Sequence, residues 1–331
     1  MEQTIVVYTP THYESPGTQY RVDRLVESLK LFEKKCLLVI DERSKALRLA
    51  YRFVSPYLFM KEQTWIKVGE RIANKVIKYK PDAAILIHDI TAAASKFLES
   101  KGIKTIVSIE NLTTVYHPKI KKDKHKVEIF NKLLHKYLCF ATKVVTPSFT
   151  LTQEIKDTFG IDAETVPVGL KPIVTYMQAL ERQPPIKVAH TRWLKTEQDL
   201  DILIKYIRNN PDKLFLIHNV GISRRINEPN VVKYRFPDAD SAASYVAQAH
   251  YSLIIESGDH YTLTAFYYHM ALLQPMVMVI SLRLEKEAKL LGLKITKDFP
   301  LDYISEVKSL KNIREKFVIP NVHRPIIKIL E

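Results

Sequence analysis

Between residues 256 and 277 the chain reads ESGDHYTLTAFYYHMALLQPMV. An apolar run ends, a polar turn follows, and a helical stretch then runs to Pro275. The turn carries Asp259, His260, Thr262 and Thr264. Imidazole and hydroxyl groups both donate and accept hydrogen bonds, so they suit a ligand rich in hydroxyl or phosphate oxygens. Similar polar groups follow other apolar runs: His88 and Asp89 in LIHDI, Glu110 and Asn111 after KTIVSI, Arg192 after IKVAHT, and Gly221 to Arg225 after LFLIHN. The remaining histidines have no metal-ligand spacing, and GxSxG, Walker and HExxH patterns are all missing from the sequence, so no metal site is expected.

The elements that position these groups follow from periodicity. Apolar runs of four to six residues recur at TIVVY, CLLVI, AAILIH, KTIVSI and KVVTP, with helical patterns between them. In YRVDRLVESLKLF, Val22, Leu25, Val26, Leu29 and Phe32 share one helix face. Gly102 suits a helix C-terminus, Ser148 or Thr150 a helix N-cap, and Gly160 the end of that helix. Continuous apolar strands alternating with helices predict parallel sheets covered on both faces. The pattern restarts after the proline-bearing segment 167–185 with IKVAHT, LFLIHN, VVKYR, SLIIES and MVMVI. We therefore expect an α/β protein of two doubly wound, Rossmann-like domains facing a central cleft. Residues 1–170 form the first and 171–331 the second, with the last helix packing back on the first. In such sheets ligands bind beyond the carboxyl ends of the strands, where the polar groups lie.

Bulk composition limits the alternatives. The chain of 331 residues is 46% hydrophobic and 26% charged, as expected of a globular protein of two domains. Two cysteines, Cys36 and Cys139, cannot form a disulfide framework, and MEQTIVVYTP lacks the pattern of a signal peptide. A cytoplasmic setting is expected. The net charge of +14 suits a phosphate-bearing substrate, an anionic membrane surface or nucleic acid, and also an ordinary solvated basic surface. With only 8 glycines, the chain has few positions for glycine-rich phosphate loops.

Several segments together resemble a known family. VVTPSFTLTQEIKDTFGIDAETVPVGL is similar to the end of the first domain in GT-B glycosyltransferases of the retaining family-4 type. SPGTQYRVDRLVESL resembles that family's glycine-bearing loop and first helix, PDAAILIHDI one of its strands, and HTRWLKTEQDLDILI its arginine- and lysine-bearing segment. ESGDHYTLTAFYYHMALLQPMV lies where the family carries two glutamates eight positions apart.

The resemblance implies metal-independent, retaining transfer of a sugar from a nucleotide-sugar donor, such as a UDP- or GDP-sugar, to a protein, glycan or lipid acceptor, with no cofactor. Charge builds on the departing diphosphate, and fixed cations and backbone N–H groups stabilise it. Arg192 matches the family's phosphate arginine. Gln198 stands at the lysine position, and Lys195, one helical turn earlier, can supply the charge instead. Gly17 and Gly221 match glycines beside the nucleotide. His260 and Tyr268 fall on the two glutamates and can reach the donor sugar and the ribose, while Thr262 and Thr264 can meet phosphate at the helix start. Burial of TAFYYHMALL as a core helix is the competing account of Tyr268. Glu110 falls where the family often has a histidine near the anomeric carbon, and a carboxylate there suits a developing oxocarbenium ion. The family's carboxylate pair is replaced, so an inactive GT-B-like binding module stays open.

One basic run stands outside these motifs. HPKIKKDKHK, residues 117–126, leads into a helix with Leu133, Leu134 and Tyr137 on its apolar face. Exposed, it would draw the protein peripherally to an anionic membrane, or to nucleic acid; a solvated basic face is the plain alternative.

Overall fold

The computed structural model describes residues 3–10, 16–41, 58–116, 120–191, 194, 196–236, 239–256, 264–280, 282–294, 296–299 and 302–331. It divides into two compact units. Unit 1 comprises Met1–Pro167, His260–Thr262 and Pro320–Glu331; unit 2 comprises Val168–Asp259 and Leu263–Ile319.

Unit 1 is built from β1 (Thr4–Pro10), α1 (Pro16–Leu31), β2 (Lys35–Asp41), α2 (Glu62–Ile77), β3 (Ala83–Ile87), α3 (Ser95–Glu99), β4 (Lys104–Ser108), α4 (Thr113–Tyr116), α5 (Lys124–Leu138), β5 (Lys143–Thr146), α6 (Phe149–Phe159) and β6 (Glu164–Thr165). Its six strands pair in the order β2-β1-β3-β4-β5-β6, every pair parallel. Alternation along β1 explains the two layers that cover the sheet. Val6 and Tyr8 face a cluster with Trp65 of α2, Phe130 and Tyr137 of α5, and Leu151 of α6. Ile5 and Val7 face Val22, Leu25 and Leu29 of α1 and residues from the chain's end. Trp65 anchors the first layer: its ring stacks on Tyr137 at 5.4 Å, meets Phe130 and Phe59 edge-on, and Nε1 donates to the Phe59 carbonyl at 2.9 Å. The predicted stops appear as read. Ser148 Oγ accepts from Leu151 N at 3.0 Å, and Gly160 closes α6 at φ 65°, a conformation glycine adopts without strain.

Unit 2 runs through α7 (Tyr176–Leu180), β7 (Lys187–His190), α8 (Glu197–Arg208), β8 (Leu214–His218), β9 (Val231–Tyr234), α9 (Ala239–Val246), β10 (Tyr251–Glu256), α10 (Thr264–Ala271), β11 (Met276–Ile280), α11 (Leu282–Leu290) and α12 (Tyr303–Arg314). Its five strands are again all parallel, in the order β11-β10-β7-β8-β9. Val188, Phe215, Ile217, Leu253 and Ile255 bury the sheet against Leu200, Leu203 and Ile207 of α8. A capping box between Thr196 and Asp199 starts α8.

The chain's last helix, α13 (Arg324–Leu330), lies in unit 1, where Ile326, Ile327 and Leu330 pack with the α1 layer. Gln3 Nε2 and Lys104 Nζ both donate to the Leu330 carbonyl, at 2.9 and 3.0 Å. Just before α13, the buried His323 ring meets Ser28 of α1, with Nδ1 2.7 Å from the serine Oγ. Burial, with the Arg21 charge adding to it, pushes the His323 pKa down to about 3. Its unfolded value is near 6.5, so between those limits the unfolded chain binds the extra proton and stability falls as pH falls. His323 should therefore cost about 2 kcal/mol of stability between pH 6.5 and pH 5. Urea unfolding at several pH values should show this slope in the parent and a shallower one in His323→Gln; equal slopes would contradict the assignment.

Candidate functional site

At the carboxyl edge of the unit 1 sheet, polar groups gather from α1, β3 and β4. Arg21, one turn into α1, reaches the end of β4. Its Nη1 forms a short ion pair with Glu110 Oε2, and Nη2 lies 2.9 Å from Ser108 Oγ. Ser108 Oγ in turn lies 3.3 Å from Glu110 Oε1, so both carboxylate oxygens are engaged. Arg21 and Glu110 are each only 8% exposed. A buried charge of this kind persists only when it is paired, and removing one partner strands the other. Glu110, expected beside the reacting carbon, is thus part of a closed ion pair.

His88 and Asp89 follow directly on β3. Asp89 is fully buried, and its oxygens are held from three sides: Oδ2 accepts from Thr113 N at 2.6 Å, and Oδ1 accepts from Thr113 Oγ1 at 3.0 Å and Ile90 N at 2.8 Å. His88 Nδ1 lies 2.6 Å from the same Oδ1. Burial opposes protonation of His88, but the charge and hydrogen bond of Asp89, joined by Glu110, outweigh it and raise its pKa above the usual histidine value.

Unit 2 gathers histidines at the same edge of its own sheet. His190 ends β7 and is fully buried, with Nδ1 2.9 Å from the Leu253 carbonyl. His218 ends β8 and stacks on Tyr234 at 5.4 Å; burial, aided by the Arg235 charge, lowers its pKa. His269 of α10 lies 2.9 Å through Nε2 from Thr191 Oγ1 and 2.7 Å through Nδ1 from Gln274 Oε1. Gln274 Nε2 donates to the carbonyls of Val246 and Ala249. This chain of bonds ties α10 to the residue that precedes Arg192. Two arginines, Arg314 buried and Arg182 half-buried, hold the other end of α10: Arg182 donates to the carbonyls of Leu272 and Leu273, and Arg314 Nη1 donates to that of Val174 and lies 3.3 Å from that of Ala271. Cations at a helix C-terminus satisfy its orphan carbonyls and oppose its dipole.

The expected site residues distribute as follows. Arg192, Lys195, His260 and Thr262 lie outside the described residues. Gly17 lies in the first turn of α1, behind Pro16 at the helix start, and Thr264 opens α10. Gly221 begins a short 3-10 turn after β8 at φ 56°, with Ser223 Oγ donating to the His218 carbonyl at 2.6 Å. Arg224 is exposed, and Arg225 is paired with Glu197 at 2.6 Å. On α10, Tyr267 is fully buried and packs edge-on against Phe317, whereas Tyr268 is half-buried. The His190, His218 and His269 group was missed by motif reading. Its signal was that KVAH and LFLIH both end on histidine.

No protein-family model matches the sequence, and no curated protein matches it. Solved structures match in fold. The UDP-forming α,α-trehalose-phosphate synthase of Burkholderia vietnamiensis is similar with a TM-score of 0.66 at 10% identity, over 100% of this chain and 97% of that one. The lipopolysaccharide outer core galactosyltransferase WaaB is similar with a TM-score of 0.61 at 13% identity, over 99% of each chain. A putative UDP-N-acetylglucosamine 2-epimerase of Listeria monocytogenes is similar with a TM-score of 0.58 at 10% identity, over 99% of this chain and 96% of that one. The chain has the GT-B fold.

The Arg21–Glu110 pair can be tested by stability alone. Arg21→Met strands a buried carboxylate and should lose about 3–5 kcal/mol in urea unfolding. The double change Arg21→Met with Glu110→Leu should recover most of that loss. A single-variant loss below about 1 kcal/mol would place the pair among weak surface contacts.

Proposed function

We propose that the chain is a glycosyltransferase that moves a sugar from a nucleoside-diphosphate donor, such as a UDP- or GDP-sugar, to an acceptor hydroxyl. The observation that carries this reading is the fold, shared over nearly the full length with proteins named for UDP-dependent synthesis and sugar transfer. The charge of +14 and the polar groups at the strand ends agree with it. We assign donor handling to the residues that the sequence places after the strand ends. Arg192 and Lys195 meet the diphosphate, Gly221 and Gly17 let backbone N–H groups approach it, and Thr262 and Thr264 add hydroxyls. His260 contacts the donor sugar and Tyr268 the ribose. Glu110, paired with Arg21, is assigned to catalysis or acceptor orientation. Likeness to the family-4 type implies retention and a metal-independent step. The acceptor class is protein, glycan or lipid.

Exposed Lys121, Lys122 and Lys124 at the start of α5 support peripheral contact with an anionic membrane. Lys126 is instead paired with Asp123 at 2.7 Å, and Asp123 also caps α5. Among the described residues no helix is long and apolar enough to cross a bilayer.

Three outcomes are expected. UDP or GDP should raise the melting temperature of the parent, since a ligand at a hundred times its dissociation constant adds about 2.7 kcal/mol. Arg192→Ala should weaken that binding by about 1.5–3 kcal/mol with little change in its own melting temperature; unchanged affinity removes Arg192 from the site. Replacing Lys121, Lys122 and Lys124 with Gln should release the protein from vesicles containing phosphatidylserine, at about 1 kcal/mol per lysine, while leaving UDP or GDP binding intact. Equal flotation of parent and variant would place the membrane contact elsewhere or nowhere.

A further inference from the structure

We propose that Thr191 binds a hydroxyl group of the nucleotide sugar, as a hydrogen-bond acceptor whose direction is fixed by the buried residues His269 and Gln274. The proposal rests on the glycosyl-transfer reading and adds to it a residue that selects a ribose or sugar hydroxyl over phosphate.

Position carries the first part. β7 is the first strand of unit 2, yet it stands at the centre of the order β11-β10-β7-β8-β9. The strands that follow run outward through β8 and β9 on one side and through β10 and β11 on the other, so the order reverses at β7. Ligands of such sheets bind outside the carboxyl ends of the strands at this reversal. Thr191 is the first residue beyond β7, and it is half-buried. His190 before it is bonded through Nδ1 to the Leu253 carbonyl at 2.9 Å, which ties the end of β7 to β10.

Proton counting carries the second part. Gln274 Nε2 donates to the Val246 carbonyl at 2.7 Å and to the Ala249 carbonyl at 3.0 Å. Both amide protons are then used, and Oε1 is the atom that faces His269, 2.7 Å from Nδ1. An amide oxygen only accepts, so the ring proton sits on Nδ1. In the neutral ring Nε2 is then bare. It lies 2.9 Å from Thr191 Oγ1, so it accepts the one proton of the threonine hydroxyl. His269 and Gln274 are both fully buried, where polar groups keep their partners. What Oγ1 has left is lone pairs. Towards a ligand it accepts and does not donate. The diphosphate of a nucleotide sugar presents only acceptors, which would meet these lone pairs without a bond. A ribose or sugar hydroxyl carries the proton that they need.

Calorimetric affinities of the full chain provide the test, with ligands that keep the diphosphate and lose one hydroxyl. Thr191→Val keeps the shape of the side chain and removes Oγ1, while Thr191→Ser keeps the hydroxyl. If the partner is a ribose hydroxyl, Thr191→Val should bind UDP or GDP about three- to tenfold more weakly than the parent. The difference should vanish with the matching 2′-deoxy or 3′-deoxy nucleotide. If the partner belongs to the transferred sugar, parent and Thr191→Val should bind UDP or GDP equally, and the same loss should appear on UDP-glucose or GDP-mannose. Thr191→Ser should bind as the parent does throughout. Nitrogen-15 NMR of the histidine-labelled parent, which depends on no variant folding, should show His269 protonated at Nδ1 and bare at Nε2. A proton on Nε2, parent-like affinity of Thr191→Val for every ligand, or a loss on UDP or GDP that persists with both deoxy nucleotides would overturn the proposal and leave nucleotide binding standing. Absence of any binding of UDP, GDP, UDP-glucose or GDP-mannose by the parent would overturn the glycosyl-transfer reading beneath it, and the proposal with it.

Discussion

The buried ion pair between Arg21 and Glu110 sets the terms for the strand-end chemistry of unit 1. Neither charge can stay in a low-dielectric interior without the other. Their pairing fixes one turn of α1 against the end of β4, and Ser108 completes the bonding. A carboxylate locked to a guanidinium is held in place and shares its charge with its partner. Beside this pair lies His88, whose protonated form Asp89 and Glu110 both favour. Further along α1, Ser28 contacts His323, so the same helix is held at its far end by the returning terminus of the chain.

Unit 2 solves a related problem without carboxylates. Helix α10 must end in the interior, where its last carbonyls have no water to meet. Arg182 and Arg314 satisfy them, and His269 and Gln274 link the helix to Thr191 and to the end of α9. Arg182 is itself steadied by Tyr303, whose hydroxyl also donates to the Ala179 carbonyl. This framework fixes the backbone on the near side of Arg192. It explains why TAFYYHMA is so apolar for a helix beside a candidate ligand site. Phe266, Tyr267 and Met270 are spent on the core, which leaves Tyr268 as the half-buried aromatic on that helix.

Much of the architecture was legible before any coordinates. Runs such as TIVVY and AAILIH are too uniformly apolar for a sheet with one wet face, and both became strands inside all-parallel sheets. Ser148 and Gly160 bound α6 because their capping chemistry is local. The site was harder to read, since its bonds join residues far apart in the chain. Nothing near Arg21 in sequence announces Glu110, and nothing near Ser28 announces His323. Motif matching placed Glu110 at the reaction centre and could not show that a guanidinium already held it. It also passed over the recurrence of ILIH, KVAH and LFLIH, where three strands lead into histidine.

Sugar transfer by this chain is the property on which every assigned role depends. The most direct measurement is mass spectrometry of the full chain incubated with UDP-glucose or GDP-mannose and a panel of soluble glycans, peptides and detergent-dispersed lipids. Release of UDP or GDP together with a product heavier than its acceptor by one sugar residue is expected. Folded protein that releases neither nucleoside diphosphate nor sugar-bearing product from either donor would contradict it.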